Sequence, residues 1–201
     1  MKKLIIIMLL IVCVFHGYSQ SAESYLAAGN SKKMKLDYNG AISDYSKAIE
    51  INSSFIDAFF NRGIAKEKLG DYQGAIIDYS KVLNLKPDYY DAILFRGLAK
   101  DKLGDYRGSL LDYNKGIQLQ PKVAYCYLFR GMARGRLKNY QGALADFNKY
   151  ISMVPNSDEA FYNRGLTKLA LNDINGACFD FSHAGELGSE AAYEMISLYC
   201  H

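Results

Sequence analysis

Charged side chains that recur at a fixed spacing are the first candidates for chemistry in this sequence. Arginine occupies four such positions and aspartate five, and within each set the distance along the chain from one member to the next is constant. The members are Arg62, Arg96, Arg130 and Arg164, and Asp44, Asp78, Asp112, Asp146 and Asp180. A guanidinium and a carboxylate can form a bidentate, charge-assisted contact. Its regular recurrence indicates a structural role for these residues rather than a catalytic one.

The same period extends over most of the chain. Gly63, for example, has counterparts at Gly29, Gly97, Gly131 and Gly165, without any insertion. An unbroken period of roughly 20 to 50 residues indicates a stack of one supersecondary unit. We therefore divide the chain into repeat 1 (22–55), repeat 2 (56–89), repeat 3 (90–123), repeat 4 (124–157), repeat 5 (158–191) and a capping helix (192–201), and number the positions of each repeat from 1 to 34.

Each repeat is predicted to be two antiparallel helices, helix A and helix B. In repeat 2, apolar and small residues recur at helical spacing in two runs that are separated by Leu69-Gly70-Asp71 and ended by Pro87. Gly70 can adopt the left-handed conformation that ends helix A, and Asp71 can cap helix B. Repeats 1 and 4 have Leu36 and Lys138 at the glycine position, so we expect less favourable turns there. Small residues at positions 8 and 20 are expected to let the two backbones cross closely.

The arginines favour one of two possible pairings. Repeat 1 has Ala28 where the other repeats have arginine. Pairing within a repeat would leave Asp44 without an arginine, whereas pairing with the preceding repeat would leave Asp180 without one. We favour the second arrangement, because the missing arginine belongs to the helix that has no repeat before it. The predicted pairs are Arg62 with Asp44, Arg96 with Asp78, Arg130 with Asp112, and Arg164 with Asp146.

A helix-turn-helix repeat of this length, with Gly at position 8, Ala at 20, an aromatic residue at 24 and Pro at 32, resembles the tetratricopeptide repeat. The resemblance implies an all-α fold, an α-solenoid of five antiparallel units that forms a right-handed superhelix with the A helices on its concave side. It also implies a non-enzymatic scaffold that binds a protein or peptide partner in this concave groove.

Positions 2, 5, 9 and 12 of helix A share one face, which the resemblance places on the concave side. Positions 5 and 9 are mostly apolar and position 2 is mostly acidic, which suits an amphipathic helix or an extended segment with basic flanks. The candidate groove residues are Leu26, Asn30, Asp57, Phe60, Ile64, Asp91, Leu94, Leu98, Leu128, Met132, Tyr162 and Leu166. The alternative, which stays open, is that neighbouring A helices cover these residues themselves.

The remaining polar residues indicate neither an enzyme nor a nucleic-acid-binding protein. Without Lys2 and Lys3 the net charge falls from +3 to +1, so no basic stripe favours nucleic acid. His183 and His201 have no recurring partner that would indicate a catalytic or metal site, and we predict no cofactor. The basic residues near the ends of the A helices are interpreted as a solvated edge. The alternative function is a self-associating structural component of an envelope assembly, because the terminal repeats lack a long polar cap.

The N-terminus has the pattern of a secretory signal. Two lysines precede an apolar run over residues 4–15 and a polar, small-residue run over 17–22. The apolar run is too short to span a bilayer. We predict a bacterial-type signal peptide over residues 1–19, with cleavage after Ser21 as the other option. The mature protein is then periplasmic or secreted, without a stable membrane span.

Three cysteines remain after cleavage, which permits at most one internal disulfide. Cys178 and Cys200 lie on helices that are expected to pack together, so they are the pair that a disulfide would join. Buried free thiols at all three positions remain the default expectation.

Overall fold

The computed structural model describes residues 21–200, in which the regular elements are all α-helices. They are α1 (Ala22–Met34), α2 (Tyr38–Ile51), α3 (Ile56–Lys68), α4 (Tyr72–Leu85), α5 (Tyr90–Lys102), α6 (Tyr106–Leu119), α7 (Tyr125–Arg136), α8 (Tyr140–Met153), α9 (Asp158–Ala170), α10 (Ile174–Glu186) and α11 (Glu190–Tyr199). The predicted all-α class is confirmed for this part of the chain. The signal-peptide prediction lies outside the described residues.

The described chain forms two compact parts, residues 21–69 and residues 70–200. In the first part, α1 packs on α2 and α2 on α3, and α1 also contacts α3. In the second part, each helix from α4 to α11 packs on the next one along the chain, and α7 contacts both α5 and α9. Consecutive antiparallel helices, with the A helices of adjacent repeats side by side, are the predicted arrangement. Among the described residues, none of these helices is long and apolar enough to cross a membrane.

A side-chain cap starts every B helix, as predicted. Asp37, Asp71, Asp105 and Asp173 each accept the backbone N–H of the glycine three residues later at 2.9 Å, and Asn139 accepts its counterpart at 3.1 Å. The cap side chain lies so close to this glycine that an added Cβ would collide with it. The recurring Asp-x-x-Gly pattern is therefore one structural device, in which the glycine makes room for the carboxylate of the cap.

The residue before each cap adopts the left-handed conformation. Its φ angle is 81° at Gly70 and 77° at Gly104, but 63° at Leu36, 61° at Lys138 and 63° at Asn172. A Cβ makes this conformation unfavourable by roughly 1 to 2 kcal/mol, and asparagine tolerates it better than leucine or lysine. The turns of repeats 1 and 4 are thus less favourable than those of repeats 2 and 3, as the sequence predicts.

The small residue at position 8 makes room for an aromatic ring of the facing helix. An added Cβ at this glycine would lie 2.6 to 2.8 Å from a ring carbon at position 24 of the same repeat. The contacts are Gly29 with Tyr45, Gly97 with Tyr113, Gly131 with Phe147 and Gly165 with Phe181. These rings are almost completely buried. Each of these hairpins is therefore organised around a ring that sits on a glycine.

The last helix, α11, starts at Glu190, two residues before the predicted boundary. Gly188, with a φ angle of 103°, and the N-cap residue Ser189 form a turn that is shorter than those after the proline-terminated B helices. Cys178 in α10 and Cys200 after α11 form a disulfide with a Cα separation of 5.7 Å. The default expectation of free thiols is therefore wrong for Cys178 and Cys200, whereas Cys126 is a buried free thiol.

We expect Leu36→Gly and Lys138→Gly each to increase the free energy of unfolding by about 0.5 to 1 kcal/mol, because glycine removes the cost of the left-handed conformation. Both side chains are exposed, so little packing is lost. Urea unfolding measures the change, and Asn172→Gly is the matched control, with a smaller expected gain. A loss of stability in both variants would contradict this account of the turns.

Candidate functional site

Asp44, Asp112, Asp146 and Asp180 pair with bases of their own repeat, so the predicted pairing with the preceding repeat is wrong for them. Arg96 Nη2 lies 2.5 Å from Asp112 Oδ1, and its Nε donates to Oδ2 at 3.1 Å. The same bidentate contact joins Arg130 to Asp146, at 2.6 and 2.9 Å, and Arg164 to Asp180, at 2.6 and 2.8 Å. The predicted partners of Arg96, Arg130 and Arg164, namely Asp78, Asp112 and Asp146, are therefore replaced by Asp112, Asp146 and Asp180.

The physical reason is the ring-on-glycine contact. It brings position 8 of helix A against position 24 of helix B, so that positions 7 and 23 meet as well. In repeat 1, which has Ala28, the buried Asp44 has Lys32 Nζ at 2.7 Å from its Oδ2, an ion pair outside hydrogen-bond geometry. The predicted partner of Asp44, Arg62, instead donates to Ser46 at 3.0 Å.

A second base binds three of these aspartates, from position 11 of the same A helix. Lys100 lies 2.7 Å from Asp112, Arg134 lies 2.7 Å from Asp146, and Lys168 lies 2.8 Å from Asp180. Each of the three bases also donates to the backbone carbonyl of the glycine at position 19. Lys100, Arg134 and Lys168 are therefore structural, and their interpretation as part of a solvated edge is wrong. The recurrence of such a base in all five repeats was the sequence signal that could have revealed this role.

The arginines do reach the preceding repeat, through a neutral side chain two residues after its aspartate. Their Nη1 atoms donate to Ser80, Asn114 and Asn148 at 3.2, 2.8 and 2.8 Å, as Arg62 does to Ser46. Within the described residues no repeat precedes repeat 1, which is consistent with Ala28 at this position. Each arginine thus joins two neighbouring repeats, and these clusters hold the scaffold together without offering a reactive group.

The candidate groove residues of the first part lie on one face of α1 and α3. Asp57 is exposed, and Leu26, Asn30, Phe60 and Ile64 are partly buried. Leu26 packs against a buried alanine cluster that includes Ala48 and Ala58. Asn30 Oδ1 accepts the hydroxyl of the buried Tyr45 at 2.8 Å. Leu26 and Asn30 therefore take part in the internal packing of this part.

In the second part, five candidates are partly buried on α5, α7 and α9, and Asp91 is exposed. The five are Leu94, Leu98, Met132, Tyr162 and Leu166. Leu128 is only 1 % exposed and packs with Phe147 and Tyr150, so its assignment to an open groove is wrong. Tyr150 occupies a position that is alanine in repeats 1 and 5, and its larger ring helps to cover Leu128.

Two adjoining cavities open along the A helices of repeats 3 to 5. The larger cavity, about 380 Å³, is lined by Leu98, Phe129 and Met132, among others, and has Lys102, Arg136 and Glu159 at its edge. The smaller cavity, about 220 Å³, lies between α7, α8 and α9 and includes Gly135, Asn163 and Leu166. Met132 and Arg136 line both cavities. We define these two cavities together as the candidate site.

Gly135 is part of the reason that the smaller cavity exists. It occupies position 12, where repeats 3 and 5 have Asp101 and Leu169, and no atom lies within 4 Å of an added Cβ. Gly135 and the cavity-lining Phe129 were not among the predicted site residues. The missing side chain at position 12 was visible in the sequence, but the packing of Phe129 was not.

The charged groups of the larger cavity fall into two classes. Asp101 has a structural role, because its Oδ2 accepts a hydrogen bond from the Tyr113 hydroxyl at 2.7 Å. Burial raises the pKa of Asp101. Burial also raises the pKa of Glu159, and repulsion from Asp158 raises it further. Glu159 nevertheless keeps an exposed outer surface. Among the described residues, no ion pair engages Lys102, Arg136 or Glu159.

This arrangement offers a surface to which a ligand can bind. Within residues 21–200 no group of three or more metal-ligating side chains occurs. The site combines an apolar floor with charges at its edge, which is the composition of a surface that recognises another molecule.

The repeat itself is matched by known sequence profiles. Residues 37–70 match the TPR repeat profile, and residues 56–89 match that of the tetratricopeptide repeat. The chain contains tetratricopeptide repeats. A comparison of this tetratricopeptide-repeat sequence with curated proteins gives no match.

Solved structures of tetratricopeptide-repeat type resemble most of this chain. The MamA protein has a TM-score of 0.78 and 21 % identity, with 90 % of this chain and 96 % of that chain covered. MamA (41-end) from Desulfovibrio magneticus RS-1 has a TM-score of 0.80 and 21 % identity, with 83 % and 94 % covered. YrrB, described as a TPR protein with an unusual peptide-binding site, has a TM-score of 0.79 and 19 % identity, with 92 % and 96 % covered. At these identities the likeness concerns the fold.

We expect Asp146→Ala to lower the free energy of unfolding by about 3 to 5 kcal/mol, because it leaves Arg130 and Arg134 without their buried carboxylate. Asn114→Ala is the control, since it removes only the neutral contact to Arg130 and is expected to cost about 1 kcal/mol. Urea unfolding of both variants measures the difference. Equal decreases in the free energy of unfolding would show that the buried ion-pair cluster stabilises the protein no more than the neutral contact does.

Two glycines of α7 provide a second test. Gly131→Ala is expected to destabilise the protein, because the new Cβ would lie 2.8 Å from Phe147. Gly135→Ala is expected to stabilise it by up to about 1 kcal/mol, since the methyl group meets open space and alanine favours the helix. Thermal unfolding compares the two variants, and shifts of the same sign would contradict the packing described here.

Proposed function

We propose that this protein is a non-enzymatic scaffold that binds an extended or helical segment of another protein at the candidate site. The observation that carries the proposal is the pair of adjoining cavities on the A helices of three successive repeats, joined by Met132 and Arg136. The repeat family and the description of YrrB as a peptide-binding protein support it.

The shape of the site favours a chain segment. Two cavities of about 380 and 220 Å³ lie side by side, and each has room for the side chains of a peptide. In an extended peptide, alternate side chains point the same way and are about 7 Å apart. Such a segment can place one apolar side chain in each cavity, while its backbone runs across Met132.

Export of the protein is part of the proposal. It is supported by the signal-like N-terminus and by the disulfide between Cys178 and Cys200, because disulfides persist mainly in oxidising compartments. The partner is then expected in the periplasm or outside the cell.

Self-association remains the alternative function, and one observation favours it. The last helix exposes three large apolar side chains, Tyr193, Leu198 and Tyr199, which are 59 %, 57 % and 45 % exposed. Sedimentation velocity over the micromolar range tests this alternative. A monomer at all concentrations would exclude self-association, whereas a dimer that the Leu198→Asp variant does not form would support it.

The proposed binding is tested by capture of proteins from an envelope fraction with the mature chain. Met132→Asp places a charge between the two cavities and is expected to abolish specific capture. Gly135→Leu fills the smaller cavity with the residue type of repeat 5 and is expected to weaken capture without a change of charge.

Leu111→Asp is the matched control, because Leu111 is 70 % exposed on α6 and lies outside both cavities. It is expected to retain capture, with circular dichroism showing that all variants are folded. Identical capture by the wild type, Met132→Asp and Gly135→Leu would move the binding site away from the two cavities.

A further inference from the structure

We infer that the bound segment is dipolar, with a basic residue on the Glu159 side of a central apolar residue and an acidic residue on the side of Lys102 and Arg136. This inference rests on the proposed function and specifies its partner. It depends on which charges the fold leaves unused and on where they lie along the helices.

The fold separates the bases of the A helices by position. The bases at position 11, Lys100 and Arg134, form ion pairs with Asp112 and Asp146. The bases at position 13, Lys102 and Arg136, are exposed and line the edge of the larger cavity. Two residues of separation thus distinguish a base that stabilises the hairpin from a base that is available to a ligand.

The carboxylates are separated in the same way. Asp101 is bound to the Tyr113 hydroxyl inside the hairpin. Glu159 uses its backbone carbonyl to accept from Asn163 at 2.7 Å, but its side chain has no cation within ion-pair distance among the described residues. Its surroundings already disfavour the charged form, and a cation from a ligand would relieve that cost.

The two kinds of charge lie at opposite ends of the A helices. Because consecutive helices are antiparallel, α5, α7 and α9 point the same way. Lys102 is the last residue of α5 and Arg136 the last of α7, whereas Glu159 is in the first turn of α9, beside Asp158. The helix termini carry only about half a charge of the opposite sign at each end. The full charges of the side chains therefore dominate the field along the cavity.

Between these ends the floor is apolar, with Leu98, Phe129 and Met132. A segment in the order basic, apolar, acidic satisfies both ends and the floor in one orientation. The reversed orientation places like charges together and is therefore disfavoured. The site therefore selects the direction of the bound chain as well as its composition.

The test uses a displayed peptide library with one fixed leucine and five randomised residues on each side, selected against the immobilised mature chain. We expect Lys and Arg to be enriched on one side of the leucine and Asp and Glu on the other. A selected peptide is then synthesised, and its affinity is measured by calorimetry for the wild type and the variants.

Glu159→Lys is expected to weaken this peptide about tenfold and to replace the basic preference by an acidic one on that side only. The double variant Lys102→Glu and Arg136→Glu is expected to remove the acidic preference on the other side. Glu194→Lys, on the exposed face of α11, is the matched control and is expected to leave both preferences unchanged.

The outcomes separate this inference from the proposed function. If the wild type enriches no peptide, the proposed peptide binding fails. If peptides bind at the cavities but show no charge order, or keep their basic preference with Glu159→Lys, the inference of a dipolar partner is wrong. The proposed peptide binding at the cavities is then retained. None of the three residues has an ion-pair partner in the described chain, so we expect the charge-reversal variants to fold. Thermal unfolding checks this expectation.

Discussion

The packing of a buried aromatic ring on a glycine of the facing helix is the contact on which the other features depend. With position 8 held against position 24, the arginine and aspartate one residue earlier on each helix also meet. The base one turn further along helix A then reaches the same carboxylate. A methyl group added at the glycine would separate the two helices, and both ion pairs depend on their close approach.

The fold was predictable from the sequence because its signals are periodic and local. Gly70 and Asp71 indicate a turn between two helices. Because the capping residue recurs in every repeat, this indication is much stronger than it would be from one repeat alone. The pairing of Arg130 was not predictable in this way. Asp112 and Asp146 are nearly equidistant from it in sequence, and only the packing of the ring of Phe147 on Gly131 decides between them. Leu128 was misassigned for a related reason, since a helical face does not reveal that Tyr150 of another helix will cover it.

The candidate site arises where the repeats differ from one another. Gly135 leaves out a side chain that repeats 3 and 5 supply, and Phe129 brings an aromatic ring to the cavity beside it. Tyr45 and Tyr113 carry hydroxyls that need Asn30 and Asp101, whereas Phe147 and Phe181 have none, so repeats 4 and 5 can be apolar at these positions. Regularity therefore builds the scaffold, and local departures from it give one stretch of the array its own surface.

The bond from each arginine to Ser80, Asn114 or Asn148 has a consequence for how such a chain can change its length over evolutionary time. Since Ser80 and Asn114 occupy the same place, the loss of one whole copy by recombination would leave Arg130 opposite an equivalent hydroxyl or amide acceptor. Gain of a copy would do the same. Genes of this kind can therefore lengthen or shorten in steps of one repeat, and each new junction already contains complementary groups.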